Sequence, residues 1–425
     1  MSTASWLPTI WLGILASRPV SAWLGTGGGV DTLDGSPVDR NFYLLCIGAG
    51  LVILSRRNLN WSVTIGRAWP LFLFYGFLLI STLWANSPLV SAKRWIKESG
   101  NIVIALLILS ETNPLEAFRA TFTRCGLLLV PLSYIFIRYF PDLGRRYNQH
   151  TGQLEAVGVT YQKNSLGTMI MACGLIMLWD WLESSRPDAP KRSLAERIAF
   201  PAVGALGAYL LHLCDSKTSI VSLATAIVIV VAVRVPLLRY RISAFGTYTL
   251  FAVVLFFLVD RYVGISESII RALGRDMTFT GRTDVWRELF AVGTDPLLGT
   301  GFMSFWDDDF FRSRLPYWVA HSAHNGYIEV YLAGGFIGVF FLVVMLLGTI
   351  RSINAALAAQ TAFSVVQFSI LVMALMANFA ESNFACMTPI GLLFVIAAIG
   401  SVASRQYPTT GALYTPDEAP VHRST

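Results

Sequence analysis

Long apolar runs separated by short polar gaps dominate the chain. A bilayer core takes about 20 apolar residues per helix. The pattern predicts twelve membrane spans, at about 5–24, 40–55, 69–86, 100–112, 124–140, 165–182, 198–215, 218–234, 243–260, 322–349, 363–380 and 384–403. Arg18 and Pro19 interrupt the first, and the fourth is short. The fold class is therefore all-α, a polytopic membrane protein. Residues 1–260 carry the first nine helices, 261–321 form one large outer loop, 322–404 carry the last three, and 405–425 form a solvated tail. The chain shows no internal repeat and no low-complexity tract.

The large loop is not a free linker. ESIIRALGRD places Ile269, Ile270 and Leu273 on one helical face, and TDVWRELFAVG does the same with Val285, Leu289 and Phe290. Thr283 is the expected N-cap of the second helix, with Arg282 just before it, where free N–H groups favour anions. Asp295-Pro296 and Gly299-Thr300-Gly301 read as turns. The aromatic residues that follow, among them Phe302, Trp306 and Trp318, point to a cap resting on the outer leaflet.

Composition narrows the class. Of 425 residues, 54% are hydrophobic and 14% charged, against about 25% charged in soluble domains. A soluble enzyme, a disordered chain and a disulfide-stapled scaffold are excluded. The net charge of +6 does not indicate nucleic acid, because no basic run exceeds two residues. The five cysteines lie in or beside apolar stretches and read as small core residues. The first charge, Arg18, follows the first apolar segment, which argues against a cleavable signal peptide.

Charge also sets orientation. The gaps with Arg56, Arg57 and Arg67, with Arg186, Lys191, Arg192 and Arg197, and with Arg234, Arg239 and Arg241 should be cytoplasmic. Both termini then lie inside, and the acidic gap with Asp31, Asp34 and Asp39 lies outside. Several outer gaps are nonetheless basic: Lys93, Arg94 and Lys97; Arg138, Arg145, Arg146 and Lys163; and Lys217. Either these are incidental translocated charges, or they gather around an anionic ligand at the outer surface.

The segment HSAHNGYIEVYLAGGFIG, residues 321–338, offers the best candidate chemistry. His321 and His324 are three apart and would share a helical face at the mouth of the tenth span. A histidine there suits a general base for a sugar hydroxyl. A buried structural histidine is the plain alternative. A zinc site built with Glu329 is a third, which lacks a convincing further ligand.

These residues resemble the bacterial O-antigen ligase and O-antigen polymerase superfamily, which includes exopolysaccharide polymerases. The signature His-Asn, nine residues, Gly, two residues, Gly falls on His324, Asn325, Gly335 and Gly338. Gly281, Arg282 and Trp286 match a Gly-Arg-then-Trp element, followed by PLLGTGF, similar to the family's Pro-x-x-Gly-x-Gly turn. Lys163, Asn164, Leu166 and Gly167 match a Lys-Asn-x-Leu-Gly helix start. The resemblance runs from the SRP of residues 17–19 to the last span. One departure stands out: Ser216-Lys217-Thr218 replaces the usual Ser-Arg-Ser or Ser-Arg-Thr, which keeps the charge but loses the bidentate grip.

The resemblance implies a glycosyltransferase of the inner membrane, active at the periplasmic face, without metal or cofactor. Its donor is a saccharide on undecaprenyl diphosphate, and membrane lipid surrounds it. The acceptor is lipid A–core for a ligase, the layout favoured by twelve spans, or another lipid-linked glycan for a polymerase. His324 and Arg282 carry the catalytic roles; Lys217, Lys163, Arg145, Arg146, Arg94, Lys97, Asn325 and His321 would bind substrate. A transporter of lipid-linked or anionic substrates is the alternative class. It fits less well, because the charges cluster at span ends rather than at the midplane.

Overall fold

A computed structural model describes residues 2–26, 36–57, 59–148, 152–185, 192–234, 282–319, 321–359 and 363–400. The chain opens with α1 (Trp6–Leu15) and the single turn α2 (Val20–Trp23). The expected first span is thus broken, because Pro19 cannot continue the α1 ladder and Arg18 turns aside. The Arg18 guanidinium is buried, donating to the carbonyls of Leu143, Gly158 and Thr160. It thereby pins a distant loop to the first helix pair.

Then come α3 (Pro37–Ser55), α4 (Trp61–Ser81), α5 (Pro88–Glu98), α6 (Gly100–Leu109), α7 (Pro114–Tyr139) and the one-turn α8 (Pro141–Gly144). Local chemistry sets several starts. Ser36, Asn60 and Asn113 each accept a first-turn N–H, and Pro37 and Pro114 occupy the first helical position. Strongly amphipathic α5 was not foreseen, and α6 is only 10 residues long. A small antiparallel hairpin of β1 (Arg145–Tyr147) and β2 (Leu154–Ala156) amends the all-α expectation; Arg146 pairs with Glu155 in its register.

The bundle continues with α9 (Lys163–Ser184), α10 (Leu194–Cys214) and α11 (Lys217–Ala232). The expected ninth span and the ESIIRALGRD stretch lie outside the described residues. The chain resumes at α12 (Arg282–Ala291), α13 (Asp309–Arg312), α14 (Gly326–Ala358), α15 (Ser364–Asn378) and α16 (Pro389–Gly400). Thr283 sits within α12 and so does not cap it from outside. Among the described residues six helices are long and apolar enough to cross a membrane: α3, α4, α7, α9, α10 and α14. Together with the shorter apolar helices they make a multi-pass membrane protein.

α14 runs along α4, α11 along α15, and α9 packs on α7, α10 and α11. Cys46, Cys125, Cys173 and Cys214 are buried and unpaired, as small core residues should be. α14 is not continuous. Gly335 has φ +58° and ψ −154°, so the ladder breaks there. The Pro296–Gly301 turn fills the break. Thr300 and Gly301 N–H donate to Leu332 and Ala333 carbonyls at 2.8 and 2.9 Å, and Phe336 N–H donates to Pro296 O at 2.8 Å. Backbone groups freed inside a membrane helix need such partners. Only glycine fits: a Cβ on Gly335 would lie 2.3 Å from the Leu297 carbonyl, and one on Gly299 2.6 Å from that of Leu332.

The described part of the large loop, from Arg282 to Val319, packs Leu289, Phe305 and Trp306 into a small core shared with Ala323 and with Leu332 of α14. Arg94 of α5 ties this unit down, donating to Met303 O and pairing with Asp307.

Candidate functional site

The site forms where α9, α12 and α14 begin and where the loop between α15 and α16 crosses them. Asn325 caps α14: its Oδ1 accepts from Tyr327 and Ile328 N–H at 3.0 and 3.1 Å, and its Nδ2 donates to Phe379 O. Asn325 is therefore a structural cap that anchors α14 to the end of α15. Gly326 must be glycine, because a Cβ would lie 2.1 Å from Asn378 Oδ1.

His324 precedes this cap in a left-handed conformation, φ +46°. It and His321 are on a turn, not on a helix, so the helical-face expectation fails. The reason is that Asn325 caps the helix one residue later. Glu329 holds the turn: its Oε1 accepts from Ala323 N–H at 2.7 Å and its Oε2 from the Trp306 indole at 3.0 Å. These bonds direct Glu329 toward donors. Among the described residues no three His, Cys, Asp or Glu side chains gather as a metal ligand set.

The decisive partner is a residue that sequence reasoning missed. Glu381, on the loop between α15 and α16, sits 3.3 Å from His324 Nδ1 through Oε2. Its Oε1 lies 2.9 Å from Arg282 Nη2 and accepts from the Asn164 amide at 2.7 Å. Arg282 Nη1 also donates to Ala380 O. One carboxylate thus joins the His-Asn, Gly-Arg and Lys-Asn segments. No spacing signal marked it, since it stands alone in an apolar stretch.

Burial opposes ionisation of Glu381. The hydrogen bond and charge of His324, with those of Arg282, outweigh that cost and hold its carboxyl below the usual range. A carboxylate only accepts, so Nδ1 carries a proton toward Glu381 and Nε2 is the nitrogen that Glu381 leaves unengaged. Among the described residues Nε2 has no partner, and His324 is about one third exposed. The ring is oriented, with its outer nitrogen open to solvent. Trp286 fixes the approach of α12, donating to Ala323 O at 2.9 Å and meeting Phe379 edge-on.

The other cations are distributed around this end. Lys163 pairs with Glu155 of β2 at 2.7 Å and Lys217 with Asp215 at 2.8 Å. Their helices meet there: a Cβ on Gly167 would lie 2.6 Å from Ser219 Oγ. Lys97 pairs with Glu98 at 3.4 Å, Arg145 donates to Ile137 O, and Arg146 is exposed on β1. Arg94 is held at the joint between α5 and the cap. His321 is exposed at the edge of a small cavity of about 150 Å3 that Glu329 and Cys386 also line.

A family model described as O-antigen ligase matches residues 202–343. That range contains Arg282, His324 and Asn325, while Asn164 and Glu381 lie beyond it. The exopolysaccharide production protein ExoQ of Rhizobium meliloti (strain 1021) is 26% identical over 297 residues, covering 65% of this chain and 63% of that protein. By both comparisons the chain is similar to the O-antigen ligase/polymerase superfamily.

Proposed function

We propose that the protein is a glycosyltransferase that moves a saccharide from undecaprenyl diphosphate to an acceptor sugar hydroxyl at the periplasmic face of the inner membrane. The supporting observation is the Arg282–Glu381–His324 cluster, set at the end of the bundle where Lys163 and Lys217 also begin their helices. His324 Nε2 takes the acceptor hydroxyl proton as its oxygen attacks the anomeric carbon. The bond from that carbon to the diphosphate breaks, and undecaprenyl diphosphate leaves with the electron pair. Arg282 and the nearby lysines stabilise the charge left on it. Diphosphate is a good leaving group, so fixed cations and one base suffice without a metal.

The acceptor in this proposal is another lipid-linked glycan, making the product an exopolysaccharide. The relative named for exopolysaccharide production, aligned over 65% of the chain, favours it. Transfer to lipid A–core is the second reading, favoured by the ligase family model over residues 202–343.

The test is transfer from purified lipid-linked donor by wild type, His324→Ala and Arg282→Ala, with a chelator present throughout. Loss of the base should cost about 10²–10⁴-fold in turnover. Loss of a charge-assisted contact at Arg282 should weaken donor use by roughly 10–100-fold. Full activity in His324→Ala would remove the base assignment. Loss of wild-type activity in the chelator would establish a metal.

A further inference from the structure

Beside Glu381 lies a cavity of about 250 Å3, between the start of α9 and the 381–389 loop. Its character differs from that of the cation cluster. Among the described residues no Lys or Arg lines it, and Glu381 is its one charged group. Hydroxyl and amide side chains line most of it. Among the described residues, Gln162, Ser165, Thr168 and Ser382 have no side-chain hydrogen-bond partner, and the buried Ser382 Oγ is wholly unmatched. Buried polar groups normally find partners, so an unmatched hydroxyl calls for one, which a ligand hydroxyl would supply. Leu15, Met387 and Pro389 add a short apolar wall. At this volume, just below the range for drug-sized ligands, the space suits a single ring.

We infer that this cavity is the acceptor subsite and takes one neutral, polyhydroxylated sugar ring. The inference rests on the transferase proposal above and adds where the acceptor sits and what recognises it. Charge decides against the donor here, since among the described residues no Lys or Arg lines the cavity to meet a diphosphate beside Glu381. A neutral sugar meets free donors and acceptors for its hydroxyls and an apolar wall for its C–H face. Glu381 borders this space and touches His324 Nδ1, so the cavity adjoins the residue that carries the base. Donor cations and acceptor groups would then flank one ion pair from opposite sides.

The test measures acceptor and donor KM separately, in nanodiscs, for wild type, Thr168→Val, Gln162→Ala and Ser382→Ala. The acceptor probes are lipopolysaccharide core oligosaccharide and the lipid-linked repeat unit, used in separate arms. None of the three side chains holds a described hydrogen bond, so the variants should fold. Each lost hydrogen bond should raise acceptor KM about 3- to 10-fold, with donor KM unchanged and Thr168→Ser restoring the wild-type value. Unchanged acceptor KM in all three, or an equal rise in donor KM, overturns the subsite. The arm that responds identifies the acceptor. If the wild type transfers to neither probe, the transferase proposal fails. The cavity is then read by saturation-transfer NMR with the lipid-free oligosaccharides. Signal in wild type lost in Thr168→Val upholds a sugar site, and none in wild type refutes it.

Discussion

At the residue scale the site turns on one shared carboxylate. Glu381 orients His324, holds Arg282 and receives Asn164, so its loss should reach the base and the donor cation together. Glu381→Gln keeps the shape and removes the charge. Turnover should fall tenfold or more, since a positioned base contributes about 10²–10⁴-fold. The pH dependence tells charge from shape. The Glu381 pKa is held low in the folded state, so its stabilisation is complete above the ordinary glutamate value of about 4.3 and is lost as pH falls through the lower folded value. Wild type should therefore melt above Glu381→Gln at neutral pH, and the gap should close as pH falls through the lower folded value. The measurement is thermal unfolding of the detergent-solubilised proteins across that range. A constant gap down to the lowest pH would mean that the charge is not what Glu381 contributes.

At the element scale the membrane helices were legible, and the device at Gly335 was not. Apolar runs marked α3, α4, α7, α9, α10 and α14, because twenty apolar residues in sequence leave few other outcomes. His324, Asn325 and Arg282 were legible as motif residues. Glu381 was not, because its partners lie 57 and 99 residues away in sequence. The His321–Asn325 turn was misread as helix, since a three-residue spacing looks the same whether or not Asn325 caps. Gly335 of the signature, with Gly299 of the turn, now has a physical role: the two admit the Pro296–Gly301 turn into the break of α14, which sets the entry of the helix that His324 precedes. Gly335→Ala would meet both a left-handed backbone and the Leu297 carbonyl. Strain of this kind costs about 1–3 kcal/mol before the clash is counted. The variant should melt well below wild type and lose transfer, while Gly204→Ala, with open space at its Cβ, should do neither. Equal melting of the two would refute the inserted turn.

For the whole molecule, ion pairs gather at both ends of the bundle. At one end Arg57 meets Glu111 and the Ser2 hydroxyl, Arg192 meets Asp180 and Arg234 meets Glu183. These fix helix ends and belong to the gaps that positive charge assigns to the cytoplasm. At the other end Arg282 and His324 share Glu381 and stay partly open to solvent. A transferase that meets its donor in the outer leaflet needs that end outside. Orientation is thus the claim on which the rest depends. A phosphatase reporter active only outside the cytoplasm, fused at Tyr317 on the fully exposed rim of the cap, should be active. The same reporter fused at residue 410, beyond α16, should be silent, and a reporter that works only in the cytoplasm should give the reverse. The Tyr317 result decides the site, because the cap packs on the turn that carries His324 through Trp286 and Trp306. Activity at 410 with silence at 317 would put His324 in the cytoplasm and remove the lipid-linked donor proposal with it. Activity at both would keep the site outside and leave an odd number of crossings between Tyr317 and the tail wrong by one.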